Sequence, residues 1–212
     1  MNTEGLYQTI VAHYEECLLK HGDNHLGVDW PKVEDVKTRY KVMLDLLSFR
    51  NKTSVKSSLL DFGCGASHLF EFMSQLKYKN VLYSGLDISP KFVDLSKLKF
   101  PSNQYFCLDI LNNSDLLPRF DYIVMNGVFT EKRELTFDQM FEYFKLLLTA
   151  VFEKAEKGVA FNVMSKAVEW ERWDLFHLPT DLLIDFITKK LTRNFVIRND
   201  YGLYEYTTYI YK

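Results

Sequence analysis

The chain has 212 residues, 47% hydrophobic and 25% charged, a balance that suits one folded domain and excludes a disordered chain. Aromatic residues reach 16%, with 17 Phe and 13 Tyr, enough for a sizeable core. A net charge of -2 lacks the basic excess of a duplex-binding protein, and no apolar run approaches the ~20 residues of a membrane span.

Neither a nucleic-acid nor a membrane partner is therefore expected. The start, Met1-Asn2-Thr3-Glu4-Gly5, has no signal-peptide pattern. Cys17, Cys64 and Cys107 are an odd set at unrelated spacings, which predicts reduced thiols in a cytoplasmic protein.

Tyr7, Ile10, Val11, Tyr14 and Leu18 fall at helix-face spacing, and Gly22 is a plausible stop. A second helical stripe follows Pro31, through Val36, Tyr40, Met43, Leu44 and Leu47. Together they predict a helical cap over residues 1–54, ahead of a core over 55–212.

From residue 58 short apolar runs alternate with helical stripes. Strands are predicted at Ser58–Phe62, Val81–Asp87, Asn103–Leu108, Tyr122–Asn126 and Gly158–Met164. Between them lie helices carrying Leu69 to Leu76, Phe92 to Leu98 (opened by Pro90) and Phe137 to Val151. A last helix holds Leu182, Leu183, Phe186 and Ile187. Asn194–Arg198 and Glu205–Tyr211 then alternate like a hairpin whose second strand runs antiparallel to the rest. The pattern predicts an α/β fold: a three-layer, doubly wound, seven-stranded, mostly parallel sheet ending in an antiparallel hairpin strand.

Asp61-Phe62-Gly63-Cys64-Gly65 stands at a strand end and opens a helix. Glycines there let backbone approach a ligand, and the helix start offers free N–H groups. Asp87 ends the next strand 22 residues after Gly65, where a carboxylate can accept both hydroxyls of a ribose. A dinucleotide fingerprint would carry a third Gly at the position of His68.

With its acid two residues before the first Gly, the chain resembles the class I S-adenosylmethionine-dependent methyltransferases. Four motifs carry the likeness: Asp61-Phe62-Gly63-Cys64-Gly65, Gly85-Leu86-Asp87-Ile88-Ser89, Cys107-Leu108-Asp109-Ile110, and Phe120-Asp121-Tyr122-Ile123-Val124-Met125-Asn126-Gly127. The resemblance implies S-adenosylmethionine as cofactor. Gly63 and Gly65 would approach its methionine moiety, Asp87 and Ile88 would meet the ribose, Asp109 and Ile110 would hold adenine, and Asn126 would lie below. The Asn/Asp-Pro-Pro-Tyr/Phe signature of base and glutamine methyltransferases is absent, with Asn126-Gly127-Val128-Phe129 in its place. Gly27-Val28-Asp29-Trp30, Arg39-Tyr40 and the tail Asp200 to Tyr206 are similar to small bacterial methyltransferases associated with polysaccharide or secondary-metabolite genes. The expected acceptor is a small molecule, methylated at a hydroxyl oxygen.

Arg39 could reach the cofactor carboxylate as a bidentate fork, or be a solvated helix residue. Ser165 to Pro179 interleaves Glu169, Trp170, Trp173, Asp174 and His177, which suits a polyhydroxylated acceptor, and His177 is the candidate general base. Asp200 and Tyr201 at the hairpin turn are weaker candidates for that face. His13, Cys17, His21 and His25 recur every four residues, but four positions climbing one helix cannot converge on one ion, and a helix flank with a buried Cys is preferred. Cys64 reads as a small apolar filler. Two rivals remain: a nicotinamide-dependent oxidoreductase, and a non-catalytic module that keeps the pocket and recruits a partner.

Overall fold

The computed structural model describes residues 7–48, 56–76, 78 and 80–212. The boundary expected at 54/55 and the leader reading of Met1–Gly5 lie outside the described residues. One seven-stranded sheet organises the chain, in the order β3-β2-β1-β4-β5-β7-β6. Its strands are β1 (Ser57–Phe62), β2 (Val81–Asp87), β3 (Gln104–Cys107), β4 (Phe120–Phe129), β5 (Ala155–Met164), β6 (Phe195–Arg198) and β7 (Glu205–Tyr211). β1 to β5 pair in parallel, while β7 runs antiparallel to both β5 and β6. The helices are α1 (Gln8–His21), α2 (Val33–Asp45), α3 (His68–Gln75), α4 (Pro90–Lys99), α5 (Ile110–Asn113), α6 (Phe137–Lys154) and α7 (Thr180–Lys190).

Side chains alternate across a strand, so each central strand feeds two cores. Leu60, Ile123, Met125, Val159 and Phe161 join α6 and α7 on one face. Leu59, Tyr122, Val124 and Ala160 join α2 and α3 on the other. α6 presents Met140, Phe144, Leu147, Leu148 and Val151 at helical spacing, all buried. Each such side chain contributes ~1.5–3 kcal/mol of burial. A capping box of Thr136 and Gln139 starts this helix.

Two differences from the sequence reading have local causes. β4 runs three residues past Asn126, because a register shift between Met125 and Phe129 absorbs Gly127 at φ 83°. The four-residue α5 was not anticipated, being shorter than any period can reveal. It is capped by Asp109, whose carboxylate accepts from Leu111 N. The N-terminal helices differ in anchorage. α2 buries Val36, Tyr40, Val42, Met43 and Leu44, whereas α1 buries Ile10 alone.

Candidate active site

The cleft forms at the carboxyl ends of β1, β2 and β4, with α1 and the segment up to Trp30 closing over it. It encloses about 1130 Å³, its open mouth included. Leaving β1, the chain passes through Gly63 (φ 73°) and Gly65 (φ 50°), a backbone region that disfavours side chains. A Cβ on Gly63 would stand 2.7 Å from Val128 Cγ2. The Gly63 and Cys64 N–H groups donate to Leu86 O at 2.8 and 2.9 Å, tying the turn to β2.

Asp87 completes that tie. Its Oδ2 accepts from Gly65 N and its Oδ1 from Ser89 N, each at 2.9 Å. Burial nevertheless pushes its carboxyl up to about 6. Each carboxylate oxygen keeps a further lone pair, so two ligand hydroxyls can still be accepted. Asp61 lies deeper, accepts from the Tyr83 hydroxyl at 2.8 Å, and is pushed by burial to about 7.

Ile88, Asp109, Ile110 and Asn126 line the same cleft as Asp61, Gly63, Gly65 and Asp87. Asp109 Oδ2 accepts from Tyr7 OH at 2.5 Å and from Asn112 Nδ2 at 2.7 Å, which leaves Oδ1 capacity beyond its cap bond. The Asn126 Oδ1 atom is buried without a hydrogen-bond partner. A buried amide oxygen on a cleft wall, lacking a partner, is what a bound polar ligand would satisfy. An acidic floor, a glycine-opened turn and this bare acceptor fit a cationic nucleoside ligand.

Four of the expected residues stand elsewhere. Arg39 does not line the cleft: its Nε donates to Glu205 Oε2 at 2.8 Å, and its guanidinium lies 4.2 Å from the Trp30 ring centroid. A buried carboxylate and an aromatic face hold it more firmly than a solvent-facing ligand group would. His177 is buried, bridges to Met164, and shares its Nδ1 with Ser165 O at 2.7 Å, while Nε2 has no partner. Asp200 pairs with Arg198 at the surface, and Tyr201 shares a hydrogen bond with Thr207 Oγ1 at 2.9 Å. Trp170 and Trp173 are 55% and 66% exposed, and no residue from Ser165 to Pro179 lines the cleft.

Sequence reasoning missed the aromatic wall. Tyr7, which caps α1, and Tyr14 within it line the cleft together with Trp30, Tyr40 and Tyr143. Helix-face spacing picked out the first two as apolar stripe only. Trp30 also backs Gly127, where a Cβ would come within 2.8 Å of its ring. Cys64 is buried and its thiol pushed up by that burial, consistent with a neutral filler.

Residues 60–150 match the methyltransferase domain family. Rv1506c of Mycobacterium tuberculosis, a candidate methyltransferase by name, is 24% identical over 157 residues, spanning 73% of this chain and 93% of that protein. Magnesium protoporphyrin IX methyltransferase from Synechocystis, solved with bound S-adenosylmethionine, aligns at a TM-score of 0.62 and 15% identity, over 97% of this chain and 96% of that one. Human N-acetylserotonin methyltransferase, solved with the same cofactor, gives 0.66 and 14%, over all of this chain and 60% of that one. The fold is that of the class I, Rossmann-like S-adenosylmethionine-dependent methyltransferases. Among the described residues no helix is long and apolar enough to cross a membrane.

Proposed function

We propose that the chain is an S-adenosylmethionine-dependent methyltransferase acting on a small-molecule acceptor. The observation that carries this reading is the convergence on one cleft of the Gly63–Gly65 turn, the Asp87 carboxylate and the partnerless Asn126 Oδ1. S-adenosylmethionine, when bound, supplies a methyl group already activated on a sulfonium.

In this reading Asp87 accepts the ribose hydroxyls, Asp109 and Ile110 hold adenine, and Gly63 and Gly65 leave room for the methionine moiety. Tyr14, Trp30 and Tyr40 wall the remaining space and exclude water from it. These groups align rather than deprotonate: burial pushes the Tyr14 phenol above its usual range, so it stays neutral and donates to Gly127 O at 3.3 Å. A hydroxyl oxygen, as on a sugar or related metabolite, is the proposed acceptor, supported by Asn126-Gly127-Val128-Phe129 where an amino-group enzyme would carry a proline pair. The relatives' named substrates, a magnesium porphyrin and N-acetylserotonin, are likewise small molecules.

Methyl transfer from labelled S-adenosylmethionine, screened over sugars, phosphosugars and hydroxy acids, tests this reading. Product formed by the wild type and reduced at least tenfold in Asp87→Asn supports it. Transfer to a protein or nucleic acid in place of any small molecule overturns the acceptor class.

A further inference from the structure

Outside the cleft, one cluster of side chains stands out for its ligand chemistry. His13 and Cys17 lie four residues apart on α1, on one helical face, and Asp29 meets them from the turn that follows His25–Val28. His13 Nε2 lies 2.8 Å from Asp29 Oδ2, and Cys17 Sγ lies 3.8 Å from the same nitrogen. All three ligand atoms fall within 4.8 Å of one another. Around a tetrahedral zinc ion, bond lengths of ~2.0 Å to N and O and ~2.3 Å to S require edges of about 3.3 Å (N···O) and about 3.5 Å (N···S). The His13–Asp29 and His13–Cys17 pairs lie within about half an ångström of these edges, and all three side chains are only partly buried.

Glu131 adds to the negative charge around Asp29. The residue is 6% exposed, and its Oε2 is buried without a hydrogen bond, 3.5 Å from Arg133 Nη1. Burial, then Asp29 and Asp174, push its carboxyl up to about 6. Arg133 and Arg172 both pair with Asp174, and Arg133 also with Glu131. Asp29 has His13 as its one ion-pair partner among the described residues. Three carboxylates against two guanidinium groups leave a surplus of negative charge beside an imidazole and a thiol.

We propose that His13 Nε2, Cys17 Sγ and Asp29 Oδ2 bind one zinc-class divalent cation, with the fourth position left to solvent. Cys17 ligates as thiolate, releasing its proton to solvent, and His13 ligates as neutral imidazole. Of the four-residue ladder in the sequence, the ion takes two members, and Asp29 does what His21 and His25 cannot. The role follows from anchorage: α1 buries Ile10 alone yet supplies Val11 and Tyr14 to the cleft. A cation joining α1 to Asp29 would fasten this wall to the segment carrying Trp30.

Chelator-stripped protein titrated with Co²⁺, then displaced by Zn²⁺, tests the site without reference to activity. One equivalent of Co²⁺ with a thiolate charge-transfer band is expected in the wild type and in Cys107→Ser. Cys17→Ser should lose the band, and His13→Gln should bind at least about tenfold more weakly. Zn²⁺ should raise the Tm of the wild type and leave that of Cys17→Ser unmoved, which guards against a variant that merely folds poorly. Absence of stoichiometric binding, binding without the band, or equal binding by Cys17→Ser would each overturn the proposal.

Discussion

Arg39 and Glu205, 166 residues apart, form a buried ion pair at 2.8 Å that joins α2 to the first residue of β7. From Glu205 the chain of contacts continues inward. Its Oε1 accepts from Asn162 Nδ2 at 3.1 Å, and Asn162 Oδ1 accepts from Gly127 N at 2.8 Å on the rim of the cleft. The guanidinium also backs Trp30, whose ring packs on Gly127. Arg39 is therefore joined to the cleft through its neighbours rather than by lining it.

Removing Arg39 alone leaves Glu205 buried without its charge partner. Arg39→Ala should destabilise the fold by ~3–5 kcal/mol, and Arg39→Met with Glu205→Gln should cost less than Arg39→Ala alone. Denaturant unfolding of the three proteins measures this. Equal stability of Arg39→Ala and wild type would mean that the pair contributes nothing.

Asp61 gives the fold a pH dependence of unusual sign. Its folded-state value of about 7 lies above the ~3.9 of an unfolded carboxyl, so the folded protein binds more protons between these limits. Stability should thus fall as pH rises from about 4 to about 7, with Asp87 adding to the trend through its value of about 6. Asp61→Asn should flatten the curve of Tm against pH in that window. At ~2–4 °C per kcal/mol for a chain of this size, the change is measurable by calorimetry. A variant curve parallel to that of the wild type would show that Asp61 titrates normally.

His177 should behave as a structural residue. With Nδ1 committed to the Ser165 carbonyl, His177→Ala should cost ~1–3 kcal/mol and leave S-adenosylmethionine affinity unchanged. Turnover on an identified acceptor should stay within about tenfold of wild type, less than general-base removal costs. A hundredfold loss of turnover at constant affinity would restore it as the base.

What the sequence could disclose follows the range of each signal. Hydrophobic period and strand-end glycines are local, so the seven strands, the antiparallel closing strand and the Asp61-to-Asn126 series on the cleft were legible. Partner choice is not local. Arg39 and Glu205 are brought together only by the insertion of β7 between β5 and β6. The segment around His177 lacks any period, and it is held by a bridge to Met164 and by the Tyr206 hydroxyl donating to Leu178 O. Aromatic positions such as Tyr14 read as helix stripe whether they face core or cleft.

Calorimetric titration with S-adenosylmethionine, its demethylated product and NAD reads the role of Asp87 without need of an acceptor. Wild-type protein should bind the first two with one-to-one stoichiometry and give no heat with NAD. Asp87→Asn should weaken S-adenosylmethionine at least about tenfold, since two charge-assisted hydrogen bonds, each ~1.5–3 kcal/mol, become neutral or are lost. Binding of NAD without S-adenosylmethionine, or an unchanged affinity in Asp87→Asn, would rule out Asp87 as the ribose-binding carboxylate of a methyltransferase.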